Sequence, residues 1–442
     1  MTSSPRVLII VQNLPVPFDR RVWLECCTLR DAGYDVTVIC LRGKETAATQ
    51  VIDGVTIHGY RPYAPGGSAA GYMLEYAHSF LATAALALKA RRRGRFDVIQ
   101  ACNPPDIFWP LARWFRLRDG SRFVFDHHDL CPELYESRFP QGPGVILKGL
   151  LFLERATFRT ADRVTSTNES YRRIAIRRGG KASDDVTVVR TGPDAEIMKP
   201  AAPVPSARRG RPHLVAYLGV MGPQDGVDVV LGAADHIVHT LGRTDISFTL
   251  MGSGDCHEDL VAERDRRGLQ DYVELPGRVP DEYVRDVLST ADVGLSPDPL
   301  NPLNDLSTMN KTMEYMAFGL PVVAFDLVET RVSAGDAAVY ADPASGPRGF
   351  AETLVRLLDD PESRMLMGSL GRQRVENELA WEHQAPSYLA VFDALTGPRS
   401  SWTSSAPTPE RSGVRRPRVE PTPAGATGGS ATSSAVRRKD PR

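Results

Sequence analysis

The stretch NDLSTMNKTMEYMAFGLPVVAFD (304–326) gathers Asn304, Asp305, Ser307, Thr308 and Asn310 ahead of a short helix bearing Lys311 and Glu314. An apolar strand follows Gly319. Asn, Asp and Ser suit a tight turn. The backbone amides of Thr308, Met309 and Asn310 then project from the first helical turn, where the helix dipole and free N–H groups favour an anion. Lys311 adds a point charge for a phosphate, and Glu314, one turn further on, accepts hydrogen bonds from vicinal hydroxyls. Phosphate plus ribose describes a nucleotide. The competing explanation is structural: a capped helix start with a Lys311–Glu314 pair at i,i+3.

Other polar residues collect in loops that follow apolar runs. In QNLPVPFDRRVW (12–23), Asp19 suits a helix cap, and Arg20 and Arg21 sit where they could reach a phosphate. In HHDLCPELYE (127–136), His128 and Asp129 stand directly at a strand end, a candidate catalytic pair with Lys311 and Asp305. YLGVMGPQDGVD (217–228) and MGSGDCHE (251–258) place Gly219, Gly252 and Gly254 before helices, and LPGRVPDEYV (275–284) adds Gly277, Arg278 and Val279. Glycine lets backbone N–H groups approach a phosphate, although such turns are also plain connectors. Neither Gly-rich loop completes a dinucleotide-binding or Walker pattern. No Asp-x-Asp pair is present to hold a divalent metal against a diphosphate, so no metal is expected and charge neutralisation falls to Lys, Arg and amides. His236 and His239 read as an ordinary helix face.

These loops need a frame of strands. Apolar runs at 6–11, 35–40, 55–60, 96–101, 122–126, 163–167 and 186–190 alternate with helical segments such as 20–32 and 145–160. After a Pro- and Arg-rich stretch the alternation restarts at 214–219, 246–252, 271–276, 292–296, 321–325 and 337–340. Continuous apolar strands joined by helices predict a parallel sheet covered on both faces. The expectation is therefore an α/β chain of two facing Rossmann-like, doubly wound parallel-sheet domains, 1–198 and 213–380, joined by a linker at 199–212. A closing helix (381–397) and a tail (398–442) follow. In such sheets ligands sit at strand carboxyl ends, so the cleft between the domains is the expected site.

With 42% apolar and 24% charged residues the chain has the composition of a globular protein. Its net charge of −1 hides an asymmetry: the tail carries nine Lys/Arg against three acids, and the body is net acidic. Pro, Ser, Gly and Arg dominate the tail, which reads as disordered. Six cysteines without Cys-x-x-Cys spacing fit reduced thiols and a cytoplasmic location rather than a disulfide frame or zinc site. The apolar run 7–11 is too short for a signal peptide. FLATAALALKARRRGR (80–95) is an apolar helix ending in five Arg/Lys. It could lie on an anionic membrane, or face the core with its cations complementing the helix dipole. Nucleic acid is not an expected partner.

The segment KTMEYMAFGLPVVAFD strongly resembles the "K..EYMA.G.PVVA" segment of family-4 glycosyltransferases of GT-B fold. The resemblance runs over roughly 6–395 and includes DHHDLCPELYE, the RTGPD hinge (190–194), LPGRVP, ADVGLSPDP and the helix from Trp381. It implies a retaining transferase that moves a sugar from a nucleotide-diphosphate donor, of UDP or GDP type, to a lipid-linked or glycan acceptor for cell-surface polysaccharide or glycolipid, without metal or other cofactor. By position, Glu314 resembles the second acid of a Glu-x7-Glu motif that binds the donor ribose. Thr308–Asn310 resemble the phosphate turn, Gly277–Val279 the loop bracketing the base, and His128 the histidine near the sugar. Three features depart from the pattern: the first acid falls on Leu306, with Asp305 the substitute one position earlier; the Arg and Lys after the first C-domain strand are absent; and NLPVPFDRR replaces a Gly-Gly loop. Lys311, then Arg278 and Arg20 or Arg21, are the expected substitutes for the missing cations. Two rivals share these features: a nucleotide-sugar 2-epimerase of the same fold, distinguished by release of free sugar, and a non-catalytic nucleotide-sugar binder, distinguished by lack of turnover.

Overall fold

The computed structural model describes residues 4–43, 46–63, 69–139 and 141–397. The tail expected to be disordered lies outside the described residues.

The N-terminal half contains strands β1 (Arg6–Ile10), β2 (Asp35–Leu41), β3 (Thr49–Ile52), β4 (Val55–Tyr60), β5 (Val98–Cys102), β6 (Arg122–His127), β7 (Arg163–Ser166) and β8 (Val186–Val188). Its helices are α1 (Arg20–Asp31), α2 (Ala69–Arg91), α3 (Trp109–Asp119), α4 (Cys131–Arg138), α5 (Gly144–Thr160) and α6 (Glu169–Arg177). The C-terminal half contains β9 (His213–Leu218), β10 (Ile246–Met251), β11 (Val273–Gly277), β12 (Val293–Ser296), β13 (Val322–Phe325) and β14 (Ala338–Ala341). Helices α7 (Val227–Asp235), α8 (His257–Arg266), α9 (Asp281–Leu288), α10 (Asn310–Ala317), α11 (Val328–Ala334), α12 (Gly346–Leu358) and α13 (Pro361–Arg374) surround these strands, and α14 (Trp381–Thr396) follows.

Two separate sheets result, ordered β3-β4-β2-β1-β5-β6-β7-β8 and β11-β10-β9-β12-β13-β14. Every pairing is parallel except β3 with β4. β5, β10, β12 and β13 are buried along their whole length, as strands covered on both faces must be. The four-residue β3, which alternates exposed and half-buried, was not foreseen from the sequence. It pairs only with β4, and so short an edge strand leaves no apolar run to read.

Strand order reverses between β1 and β5 and again between β9 and β12. At such switch points neighbouring loops diverge and open a crevice at the strand carboxyl ends. The segment between the sheets is held against the second one: Ala201 and Val204 donate their N–H groups to the hydroxyls of Ser289 and Thr290, and Arg208 pairs with Asp292 at 2.6 Å. α14 returns to the first sheet. Trp381, Tyr388, Leu389 and Phe392 enter its core. Trp381 Nε1 donates to Thr28 Oγ1 at 2.9 Å, and Tyr388 OH to Gln100 Oε1 at 2.7 Å.

Candidate functional site

The β9/β12 switch point holds a buried lysine. Lys311, in the first turn of α10, ion-pairs with Asp298 in the loop after β12. Ser296 Oγ donates to Asp298 Oδ2 at 2.7 Å, and the ammonium lies 5.2 Å from the Tyr217 ring centroid. Burial opposes the charge on Lys311, but Asp298 and Asp225 overcome it and raise the ammonium's pKa. Gly219, directly after β9, covers this lysine: a Cβ there would stand 3.3 Å from Lys311 Cε and 3.0 Å from Tyr217 OH. Tyr315 anchors the helix, accepting from Leu218 N–H at 2.8 Å and donating to Leu295 O at 3.0 Å. Its ring fits because Gly294 has no Cβ; an added one would lie 2.4 Å from the ring.

Glu314 follows one turn later. Burial raises its pKa, while Arg20, reaching across from α1, pulls the other way. Arg20 bonds both Glu314 Oε1 and Asp281 Oδ1 at 3.1 Å, so the two domains meet across this carboxylate. Beside it the Arg278 guanidinium sits 4.0 Å over the Phe18 ring, another contact between the domains. Val279 packs against the C-terminal core. The Thr308 and Met309 amides, ahead of α10, have no hydrogen-bond partner among the described residues. Asn310 is exposed at the helix start.

The N-terminal domain contributes a second network. Asp19 caps α1 as expected, accepting from Val22 N–H at 3.1 Å. Asp126, at the end of β6, accepts from His128 Nδ1 at 2.9 Å and binds the Arg21 guanidinium at 2.7 and 3.2 Å. Burial opposes ionisation of Asp126, yet Arg21 and His128 hold it well below the usual carboxylate range. His128 shows the converse: burial disfavours its charge, and Asp126 overrides burial to raise its pKa. With Nδ1 committed to Asp126, Nε2 is the nitrogen left for a ligand. Asn103, in the loop after β5, fixes the histidine loop by accepting from His128 N–H at 2.9 Å and Asp129 N–H at 3.0 Å.

Several expectations need correction. Arg21 is buried and fully engaged with Asp126, Glu25, Val189 O and Thr191, so Arg20 alone of the pair faces the cleft. The donor atoms of Glu25, Cys102 and Asp126 lie within 4.8 Å of one another, and the guanidinium binds both carboxylates there. Gly252 and Gly254 let two loops pack backbone to backbone: added Cβ atoms would lie 1.7 Å from Gly219 O and 2.6 Å from Met221 O, and the Gly252 amide is spent on Gly277 O at 3.0 Å. Gly277 has φ of +73° and faces His257. Asp129 accepts from Leu130 N–H at the start of α4. Asp305 accepts from Val328 N–H at 2.9 Å through Oδ1 and thereby tethers α11.

Leu306, where that acid would fall, packs with Leu130, Leu134, Tyr171, Ile174 and Leu303 in an apolar contact between the domains. Asn168, the cap of α6, donates to Leu306 O at 2.9 Å and Thr308 Oγ1 at 3.0 Å, and Tyr171 OH lies 2.8 Å from Ser307 Oγ. The loop ahead of α10 is thus docked on the N-terminal domain. Sequence reasoning missed Asp298, Asn103, Asn168 and Tyr171. Asn168 alone had a readable signal, as a cap residue before the helical ESYRRI run.

The model for a glycosyl transferase 4-like domain matches residues 19–192, and that for glycosyl transferases group 1 matches 212–360. The chain is 29% identical to alpha-D-kanosaminyltransferase of Streptomyces kanamyceticus, over 42% of this chain and 44% of the relative. It is 27% identical to D-inositol 3-phosphate glycosyltransferase of Thermobispora bispora, over 68% and 71% respectively. The chain therefore spans less than half of the first relative's length. Among solved structures, sucrose-phosphate synthase from Thermosynechococcus elongatus superposes with a TM-score of 0.71 at 18% identity, covering 89% of this chain and 99% of that one. Anabaena HepE in complex with UDP-glucose gives 0.65 at 14% identity, covering 88% and 99%.

Proposed function

Because the chain belongs to the family-4 glycosyltransferases and has their two-domain GT-B fold, we propose that it transfers a sugar from a nucleoside-diphosphate donor to a hydroxyl acceptor in the cleft between its domains. The observation carrying this reading is the α10 start: Lys311 buried under Gly219, the unpartnered amides of Thr308 and Met309, and Glu314 one turn away. In transfer, the bond from the sugar to the diphosphate breaks, the acceptor oxygen takes its place and the acceptor proton leaves. Negative charge grows on the departing diphosphate, and preorganised donors aimed at that charge supply the largest stabilisation. Lys311 and the amides fill that role, with Arg20 and Arg278 at the rim and no metal required. Glu314 receives the ribose hydroxyls once Arg20 yields it. His128, oriented by Asp126, stands near the donor sugar.

The donor is of UDP or GDP type, which the UDP-glucose complex of HepE supports, and retention of configuration follows from the family. The acceptor is lipid-linked or glycan, for cell-surface material assembled from the cytoplasm. None of the six cysteines, all of them among the described residues, forms a disulfide, which supports that location. The pairing of Lys311 with Asp298 favours one second reading, a nucleotide-sugar binder without turnover.

Calorimetric titration with nucleoside diphosphates in EDTA, on wild type and Glu314→Gln, tests the proposal. One nucleotide is expected to bind wild type, with affinity reduced at least tenfold in the variant. Equal affinities would remove Glu314 from the ribose, and binding without turnover on any glycan or lipid acceptor would leave the second reading.

A further inference from the structure

One face of the N-terminal domain combines exposed apolar residues with cations. α2, α3 and α5 lie side by side on the same side of the sheet and share one core. Phe80 stacks on Phe108 at the start of α3, Arg91 bonds Asp119 at the far ends of α2 and α3, and Arg116 of α3 donates to Thr160 O at the end of α5.

Outward, α2 shows Leu74 (55% exposed), Leu81 (67%) and Leu88 (44%) at seven-residue spacing, with exposed Ala77 and Ala85 between them. That stripe is roughly 21 Å long at 1.5 Å per residue, and it ends in exposed Lys89, Arg92 and Arg93. α3 adds Trp114 and Leu117 beside exposed Arg113 and Arg118. α5 adds Val145 and Phe152 beside exposed Lys148, Arg155 and Arg159. Among the described residues, no exposed position on these helices is acidic. Their three acids are already engaged: Glu75 with Gln12, Asp119 with Arg91 of α2, and buried Glu154 with Arg178. This basic face belongs to a chain whose net charge is −1.

We propose that this three-helix face docks on the surface of an anionic lipid bilayer, the leucines and aromatics entering the acyl boundary and the cations meeting the head groups. A monotopic surface needs this combination of apolar stripe and basic flank, and no helix is long and apolar enough to cross a membrane. A twofold pair of copies would set the cations of one against those of the other, because such an interface is self-complementary. The stripe begins beside the catalytic end of the sheet, since Gln12, just after β1, bonds Glu75 at 3.0 Å. A lipid-linked acceptor, on the reading proposed above, would enter the cleft from the bilayer it is anchored in.

Flotation of the full chain tests this with vesicles of phosphatidylcholine alone and with about one third phosphatidylglycerol. Wild type is expected to float with the anionic vesicles, to lose binding in 0.5 M salt and to ignore the neutral ones. Each cation at the surface contributes about fivefold in partitioning, so Arg92→Ala/Arg93→Ala should bind roughly 25-fold more weakly. Leu81→Glu and, independently, Phe152→Glu should abolish flotation with unchanged circular dichroism and Tm, both positions being exposed. The proposal is overturned by wild type that does not float, by equal flotation with neutral vesicles, or by variants that float like wild type. It is also overturned by a dimer in sedimentation equilibrium that Leu81→Glu dissociates.

Discussion

Replacing Lys311 alone would confuse two effects, and the structure shows how to separate them. The lysine is 8% exposed and answers Asp298, itself 1% exposed. Lys311→Met therefore leaves a buried carboxylate without its cation, a loss of about 3–5 kcal/mol in stability. For domains of this size that corresponds to a fall in Tm on the order of 10 °C. Asp298→Asn in the same chain removes the stranded charge and should recover most of the Tm. Turnover should not recover, because the positive charge that on the reading proposed above faces the leaving diphosphate is still gone. A single lost donor of that kind costs about 100- to 1000-fold in kcat. The assay is paired: thermal unfolding and product formation for wild type, both single variants and the double variant. A double variant with wild-type Tm and turnover within about threefold of wild type would refute the reasoning, leaving Lys311 a partner for Asp298 and nothing more.

Leu306→Glu restores the acid that the family resemblance leads one to expect, but places a charge among Leu130, Leu134, Tyr171, Ile174 and Leu303; it should destabilise the chain by about 2–4 kcal/mol in urea titration and lower turnover. Wild-type stability would show that the leucine does not seal the domains. Arg20→Ala removes an arginine whose side chain is 47% exposed, so stability should change by no more than about 1 kcal/mol; a loss above about 3 would place Arg20 in the core of the domain contact. Buried Asp106 has its pKa raised by burial to about 7. Ionising it opposes folding, so the wild type should lose stability as the pH rises from about 4 through 7. Asp106→Asn should lack that slope and be the more stable chain at pH 8, and parallel slopes in urea titrations at pH 5 and 8 would refute it.

Much of the frame was legible in the chain because burial on both faces writes itself as continuous apolar runs. β12 and β13, read as 292–296 and 321–325, lie at Val293–Ser296 and Val322–Phe325, and the closing helix starts at Trp381 in both accounts. The α10 start was legible too, since its polar turn, Lys311 and Glu314 are contiguous and a helix places neighbours in a known order. What was not legible depends on partners far apart in sequence. Arg20 and Arg21 are adjacent and chemically identical, yet one crosses to Glu314 and the other is sealed under Asp126.

The same limit explains the glycines and the missing acid. Gly219, Gly252 and Gly254 look alike as strand-end residues, and only the tertiary structure shows that the first stands over Lys311 while the others admit a neighbouring loop's backbone. Asp298 belongs to the quoted SPDP turn, but its role as counter-ion needs α10 to return beside β12. Leu306 is a departure from a motif in the sequence and a piece of domain interface in the fold. Local patterning and propensity determined which segments became strands and helices, because each run carries its own period. Which side chains meet was decided by the strand order within each sheet and the facing of two domains, because contacts between separate elements leave no period in the chain.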